Sequence, residues 1–162
     1  MKFILLLLFL LPFPACAQFE LKIPDVENLE AELKKSNFAD ESIYFYLTKN
    51  YDITSDKKDI QRLDYSEYQI CSFKRIFNNN IEYYFEQCKE AGGVIISLKM
   101  PKASTQNLKL WIEKIHIIES GFDNVWDENK PLLYRPDDEG VGCWYSIEHR
   151  DSESIIQIYC GC

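Results

Sequence analysis

The chain has 162 residues, with 26 acids against 18 Lys and Arg and a net charge of −8 at neutral pH. That balance excludes nucleic acid and anionic membrane as partners, because phosphate binding needs a basic face. An aromatic content of 14 % supplies enough apolar surface for a packed core and excludes a disordered acidic tail.

Residues 1–17, MKFILLLLFLLPFPACA, have the plan of an export signal. Lys2 is the charged head, Phe3–Leu11 the apolar core, and Ala15-Cys16-Ala17 a small-x-small cleavage site. The alternative is lipoprotein processing with Cys16 acylated. Phe13-Pro14-Ala15 lacks the leucine that usually opens such a site, which favours soluble cleavage before Gln18. The apolar run is too short to span a bilayer. Cleavage removes Lys2 and no acid, taking the net charge from −8 to −9 over roughly 145 residues, a size that suits one domain.

Phe19–Ile23 alternates apolar and polar residues and predicts a short strand ended by Pro24. Asp25 then caps a helix over Val26–Lys35, with Val26, Leu29 and Leu33 on one stripe. Glu41–Tyr51 fits helix or strand, and Asp52–Asp64 reads as an exposed polar loop. Ile70–Cys88 predicts a hairpin turning on Asn79-Asn80, since Asn tolerates the left-handed backbone of tight turns. That turn sets Cys71 opposite Cys88, and Phe73, Arg75 and Phe77 opposite Glu86, Tyr84 and Glu82.

After a glycine junction at Gly92-Gly93, Val94–Pro101 alternates again and ends at a proline. Ser104 caps a longer helix carrying Leu108, Trp111, Ile112 and Ile115 inward, with Gly121 as its stop. Gly121–Gly140 contains two prolines and reads as a long loop. Gly142–Cys162 predicts a second hairpin turning on Asp151-Ser152. Cys143 then faces Cys160, Tyr145 faces Ile158 and Ile147 faces Ile156; a slip by two residues puts Cys162 opposite Cys143 instead.

Both hairpins separate their cysteines by the same interval, and each half opens on a strand, a proline and a helix. The expectation is an α+β domain: an antiparallel sheet of about six strands with two main helices on one face, built from tandem β-α-β-β repeats over 18–90 and 91–162. The sheet's apolar face takes Val94, Ile96, Leu98, Tyr145, Ile147, Ile156 and Ile158. In plan this is similar to the tandem-repeat β-lactamase inhibitor proteins, a likeness of size, duplication and disulfides that transfers no residue.

Five cysteines follow the leader, and export makes disulfides the default: Cys71 with Cys88, and Cys143 with Cys160 or Cys162. The C-x-C ending has no second ligand pair at zinc spacing, and the acids of the long loop do not follow the calcium-loop pattern, so no metal and no cofactor are expected. His116 reads as a helix-surface or boundary residue. His149 stands near Asp151, yet no nucleophile motif accompanies it, so a hydrolase using His149 is the weakest alternative and no catalytic residue is assigned.

The long loop concentrates Asp123, Asp127, Glu128, Asp137, Asp138 and Glu139 around Trp126 and Tyr134. Aromatic anchors with carboxylates that steer encounter suit a surface that meets a basic partner. The expected function is therefore a small exported binding protein, periplasmic or secreted, acting as an inhibitor or immunity protein by occluding a basic cleft. The alternative is an envelope structural or assembly protein, anchored through Cys16 if that residue is lipidated.

Overall fold

The computed structural model describes residues 19–36, 42–62, 70–88, 93–119, 123–137 and 140–161. The stretch expected to be an export signal, residues 1–17 with Cys16, and Gly92, Gly121, Asp138, Glu139 and Cys162 lie outside the described residues. The fold is α+β; the described residues form one antiparallel sheet of eight strands and three α-helices, a larger sheet than the expected six strands and two helices.

The strands are β1 (Lys58–Arg62), β2 (Ile70–Phe77), β3 (Ile81–Glu86), β4 (Val94–Pro101), β5 (Asn124–Trp126), β6 (Leu133–Pro136), β7 (Gly142–His149) and β8 (Glu153–Gly161). Their order across the sheet is β1-β2-β3-β4-β8-β7-β6-β5. The additional strands come from stretches read as loop. β1 is a short, bulged edge strand, while β5 and β6 have three and four residues, too few for alternation to register.

The second hairpin has the expected register, with Cys143, Tyr145 and Ile147 opposite Cys160, Ile158 and Ile156. The first is offset by one residue from expectation. Phe73 faces Phe85, Arg75 faces Tyr83 and Phe77 faces Ile81. The cause is the loop. Asn78–Asn80 form a three-residue 3-10 turn, with Asn79 and Asn80 at φ 57° and 55°, in place of a two-residue turn. One residue of slip exchanges the faces of a strand, and here it gathers Phe73, Phe77, Ile81, Tyr83 and Phe85 on the buried side. Cys71 and Cys88 still meet, at a Cα separation of 4.8 Å, and Cys143 and Cys160 meet at 4.0 Å.

Phe19–Ile23 is not a sheet strand, contrary to its alternation; only Phe19 bridges, in parallel, to Ala103. Side chains have captured its backbone instead. Asn107 accepts from Leu21 N–H and donates to Leu21 O, both at 2.9 Å, and Tyr51 Oη accepts Lys22 N–H at 3.0 Å. Tyr46 Oη donates to Lys22 O. With those groups satisfied the segment has no need of a ladder.

Helix α1 spans Val26–Leu33, capped by Asp25. Helix α2 spans Ser42–Asn50 and buries Ser42 to Leu47 without interruption, which explains why its period could not be read. Tyr44 packs on Phe73, Phe77 and Tyr83, and Tyr46 meets Trp111 edge to face at 5.7 Å. Helix α3 spans Thr105–Glu119; Ser104 Oγ accepts the Asn107 N–H at 3.1 Å, and Leu108, Trp111, Ile112 and Ile115 are buried as expected.

The helices' buried side chains form one core with the inward residues of the sheet, including Ile96, Leu98, Tyr145, Ile147, Ile156 and Ile158. The two halves differ in plan. The second runs β4-α3-β5-β6-β7-β8, whereas the first has no opening sheet strand and has the additional helix α2.

Candidate functional site

Register places both disulfides at one end of the sheet. Glu86 pairs with Ile95, Val94 with Cys160, Gly142 with Gly161 and Asn124 with Pro136. The ends of β3, β8 and β6 therefore lie beside the starts of β4, β7 and β5, and this is the stapled end. The Asn78–Asn80 turn and the Asp151-Ser152 turn lie at the opposite, turn end.

The acids of the long loop separate along the same axis. Asp123 and Asp137 stand exposed at the stapled end, joined by an Asp137 N–H to Asp123 O contact of 3.3 Å. Next to them Asn124 Nδ2 donates to Cys143 O at 2.8 Å. Asp127 and Glu128 belong to the turn end, where the 127–132 loop meets β7 through Ile147 N–H to Leu132 O at 2.9 Å. The sheet thus splits what the sequence presents as one acidic cluster.

Asp127 is occupied. Its Oδ2 accepts from Arg135 Nε at 2.9 Å and its Oδ1 accepts the Asn129 and Lys130 N–H groups, each at 2.9 Å. The Arg135 guanidinium, followed by those turn amides, holds its carboxyl below the usual range. Glu128 is exposed.

Trp126 and Tyr134 face inward, cross-strand partners with ring centroids 4.9 Å apart. Trp126 Nε1 donates to Glu113 Oε1 at 2.7 Å, and Lys109 Nζ lies 4.2 Å from the centre of its ring. Burial, then Glu113 and Asp123, raise the Tyr134 hydroxyl above its ordinary value. These aromatics fasten the β5–β6 hairpin beneath α3.

Both histidines are engaged. His116 is buried at 4 % exposure, where the sequence suggested a surface or boundary position. Its ring stands edge-on to Tyr134 and Tyr145, and its Nδ1 lies 3.3 Å from Tyr145 Oη. His149 Nε2 lies 2.9 Å from Thr105 Oγ1 and its Nδ1 3.0 Å from Ser154 Oγ. Ser154 is fully buried, and its hydroxyl also accepts the Ala103 N–H at 3.1 Å. These contacts clamp the second hairpin to the first turn of α3. Among the described residues no group of three or more His, Cys, Asp or Glu side chains is placed to hold a metal ion.

No family model, curated protein or solved structure matches this chain. The geometry alone therefore carries the reading.

What remains is the sheet face that, among the described residues, no helix covers. Near its turn end runs a ladder of charge. Lys74 pairs with Glu82, Lys99 reaches Glu82 at 3.9 Å and Glu153 at 2.9 Å, and Arg150 reaches Glu153 at 3.1 Å and Glu148 at 2.8 Å. Lys99 above all, then Arg150, holds the Glu153 carboxyl below its usual range. Ile155 is buried between its cross-strand neighbours Lys99 and Glu148, whose aliphatic stems shield it.

Toward the stapled end the same face becomes apolar. Ile95, Tyr159 and Trp144 lie side by side across β4, β8 and β7, with Ile95 42 % and Tyr159 38 % exposed. The Trp144 and Tyr159 rings are 5.7 Å apart. Tyr159 lies over two glycines, since a Cβ at Gly161 would stand 2.9 Å from its hydroxyl and one at Gly93 3.0 Å from its ring. Ser97, Gln157 and Ser146 form the polar row between strip and ladder. Alternation from Cys143 and Cys160 puts Trp144 and Tyr159 on the outward face of the hairpin, and Ile95 joins them through the β4–β8 pairing.

Proposed function

We propose that this chain is a small exported binding protein that blocks another protein, as an inhibitor or immunity protein does, by occluding a basic cleft. The observation that carries this reading is the stapled end, where the exposed carboxylates of Asp123 and Asp137 share one end of the sheet with an apolar strip on its uncovered face. Rigid presentation lowers the ordering cost of binding, and fixed carboxylates favour encounter with a cationic surface. Two disulfides fit an oxidising compartment, in keeping with export to the periplasm or medium. No helix among the described residues is long and apolar enough to cross a membrane. The shared plan of the two Cys-bracketed hairpins supports descent from a duplicated unit, which we propose as the origin of the fold.

The test is capture of a partner from the protein's own culture at low and high salt, using the native protein and the Asp123→Lys, Asp137→Lys double variant. The expected result is a partner with a basic surface, retained at low salt and lost with the double variant. Binding indifferent to both salt and those charges overturns the reading.

A further inference from the structure

We propose that the strip of Ile95, Tyr159 and Trp144 is the anchor of this interface, and that it receives a partner segment in which an aromatic or aliphatic side chain is flanked by lysines or arginines. This rests on the reading above that the protein docks to a basic surface.

Trp126 and Tyr134, the aromatics nearest the acids in sequence, face inward against α3 and cannot serve as anchors. The strip is apolar and solvent-facing, with Tyr159 lying over Gly93 and Gly161, where no side chain displaces it. Its position one residue in from the Cys143–Cys160 crosslink fixes its floor. Side chains set in a rigid frame surrender little freedom on contact, as is typical of the aromatic residues that dominate binding energy.

Charge selects the occupant. Glu86 borders the strip beside Ile95 on one side, and Asp123 and Asp137 stand at the same end of the sheet on the other. The cations on this face of β2, β4 and β6, together with Arg150 after β7, are committed: Lys74 to Glu82, Lys99 to Glu82 and Glu153, Arg135 to Asp127, and Arg150 to Glu148 and Glu153. An apolar group seated on the strip thus has Glu86 on one side and, past Arg135 with its charge taken up by Asp127, Asp123 and Asp137 at the same end on the other, which favours cationic neighbours and disfavours acidic ones.

The experiment titrates the isotopically labelled, oxidised protein with a synthetic peptide bearing a central leucine between arginines and lysines, and follows amide shifts. Two control peptides replace the leucine by glycine or the cations by glutamate. The expected result is saturable shifts at 93–96, 142–146 and 158–161. Affinity should fall about tenfold for the glycine peptide and for Trp144→Ala or Tyr159→Ser, the order expected of an anchor residue. The glutamate peptide should not bind. Near-UV circular dichroism of each variant establishes that it is folded.

If the leucine and glycine peptides bind equally and Trp144→Ala changes nothing while charge reversal at Asp123 and Asp137 abolishes binding, the acidic docking surface stands and the anchor is lost. If neither cationic peptide binds, the basic-partner reading falls with it. Sedimentation showing a dimer that Trp144→Ala dissolves assigns the strip to a second copy of the chain and overturns the proposal.

Discussion

The carboxylate of Glu119, at the end of α3, accepts the backbone N–H of Ile43 in the first turn of α2. A carboxylate facing a helix N-terminus is favourable, yet burial dominates and pushes this group up from 4.5 to about 7. Tyr145, on β7, is its near titratable neighbour and is itself raised, first by burial and then by Glu119. His116 precedes it by one turn on α3.

Stability is therefore expected to fall as the solution is made alkaline. The folded chain holds the Glu119 proton more tightly than the unfolded chain, so the benefit is complete below about 4.5 and is lost as pH rises through about 7. The loss between pH 5 and pH 8 is on the order of 2 kcal/mol. Urea unfolding at these two pH values, compared with Glu119→Gln, isolates the effect. The variant should gain stability at pH 8 and show a flatter profile; equal pH dependence in both proteins would refute the assignment.

His149 serves as a bridge between Thr105 and Ser154. Replacing it by Ala leaves the buried Ser154 hydroxyl with fewer partners and frees the first turn of α3 from the hairpin. A loss of about 1–2 kcal/mol is expected, with Thr105→Val costing less because Ser154 keeps its histidine. Denaturant midpoints of the two variants supply the comparison, and no change on His149→Ala would remove the clamp from the account.

Gly93 has no room for a side chain. A Cβ there would lie 2.1 Å from Cys160 O, a backbone atom fixed by the ladder and the crosslink. Gly93→Ala is expected to destabilise by at least about 3 kcal/mol, the range of severe local strain. Gly142→Ala meets only the ring of Pro136, at 2.7 Å, so it should cost less. The ratio of their effects on melting temperature tests the tightness of the β4–β8 seam.

Each crosslink is confined to its own hairpin, Cys71 with Cys88 and Cys143 with Cys160. Peptide mapping of non-reduced protein should recover those two pairs. Replacing both cysteines of either pair by serine should cost about 2–4 kcal/mol, as expected for loops of this length. A crosslink between the two hairpins is the outcome that excludes this architecture.

Residues whose environment is set by near neighbours were legible in the sequence. The alternation of Val94–Pro101 and of β7 and β8, the capping serine at Ser104 and the cysteine spacing all led to the observed local structure. Long-range competition was not legible. Phe19–Ile23 alternates as a strand does, but Asn107, Tyr46 and Tyr51 reach it first. α2 is buried on every side of its first two turns, which removes the stripe that reveals a helix.

The candidate site shows the same division. Loop composition located the acids but could not say that β5 and β6 turn Trp126 and Tyr134 inward while sending Asp123 and Asp127 to opposite ends of one hairpin. The strip crosses β4, β8 and β7, and the crossing that brings Ile95 beside Tyr159 joins residues far apart in the chain.

Both covalent ties sit on the same rim, and this gives the sheet a direction. Among the crosslinked strands, opening is favoured at the far rim, where the Asn78–Asn80 and Asp151-Ser152 loops are and where exposed, salt-sensitive ion pairs lie. Raising ionic strength therefore weakens the surface contacts of one margin while the disulfides keep the other closed.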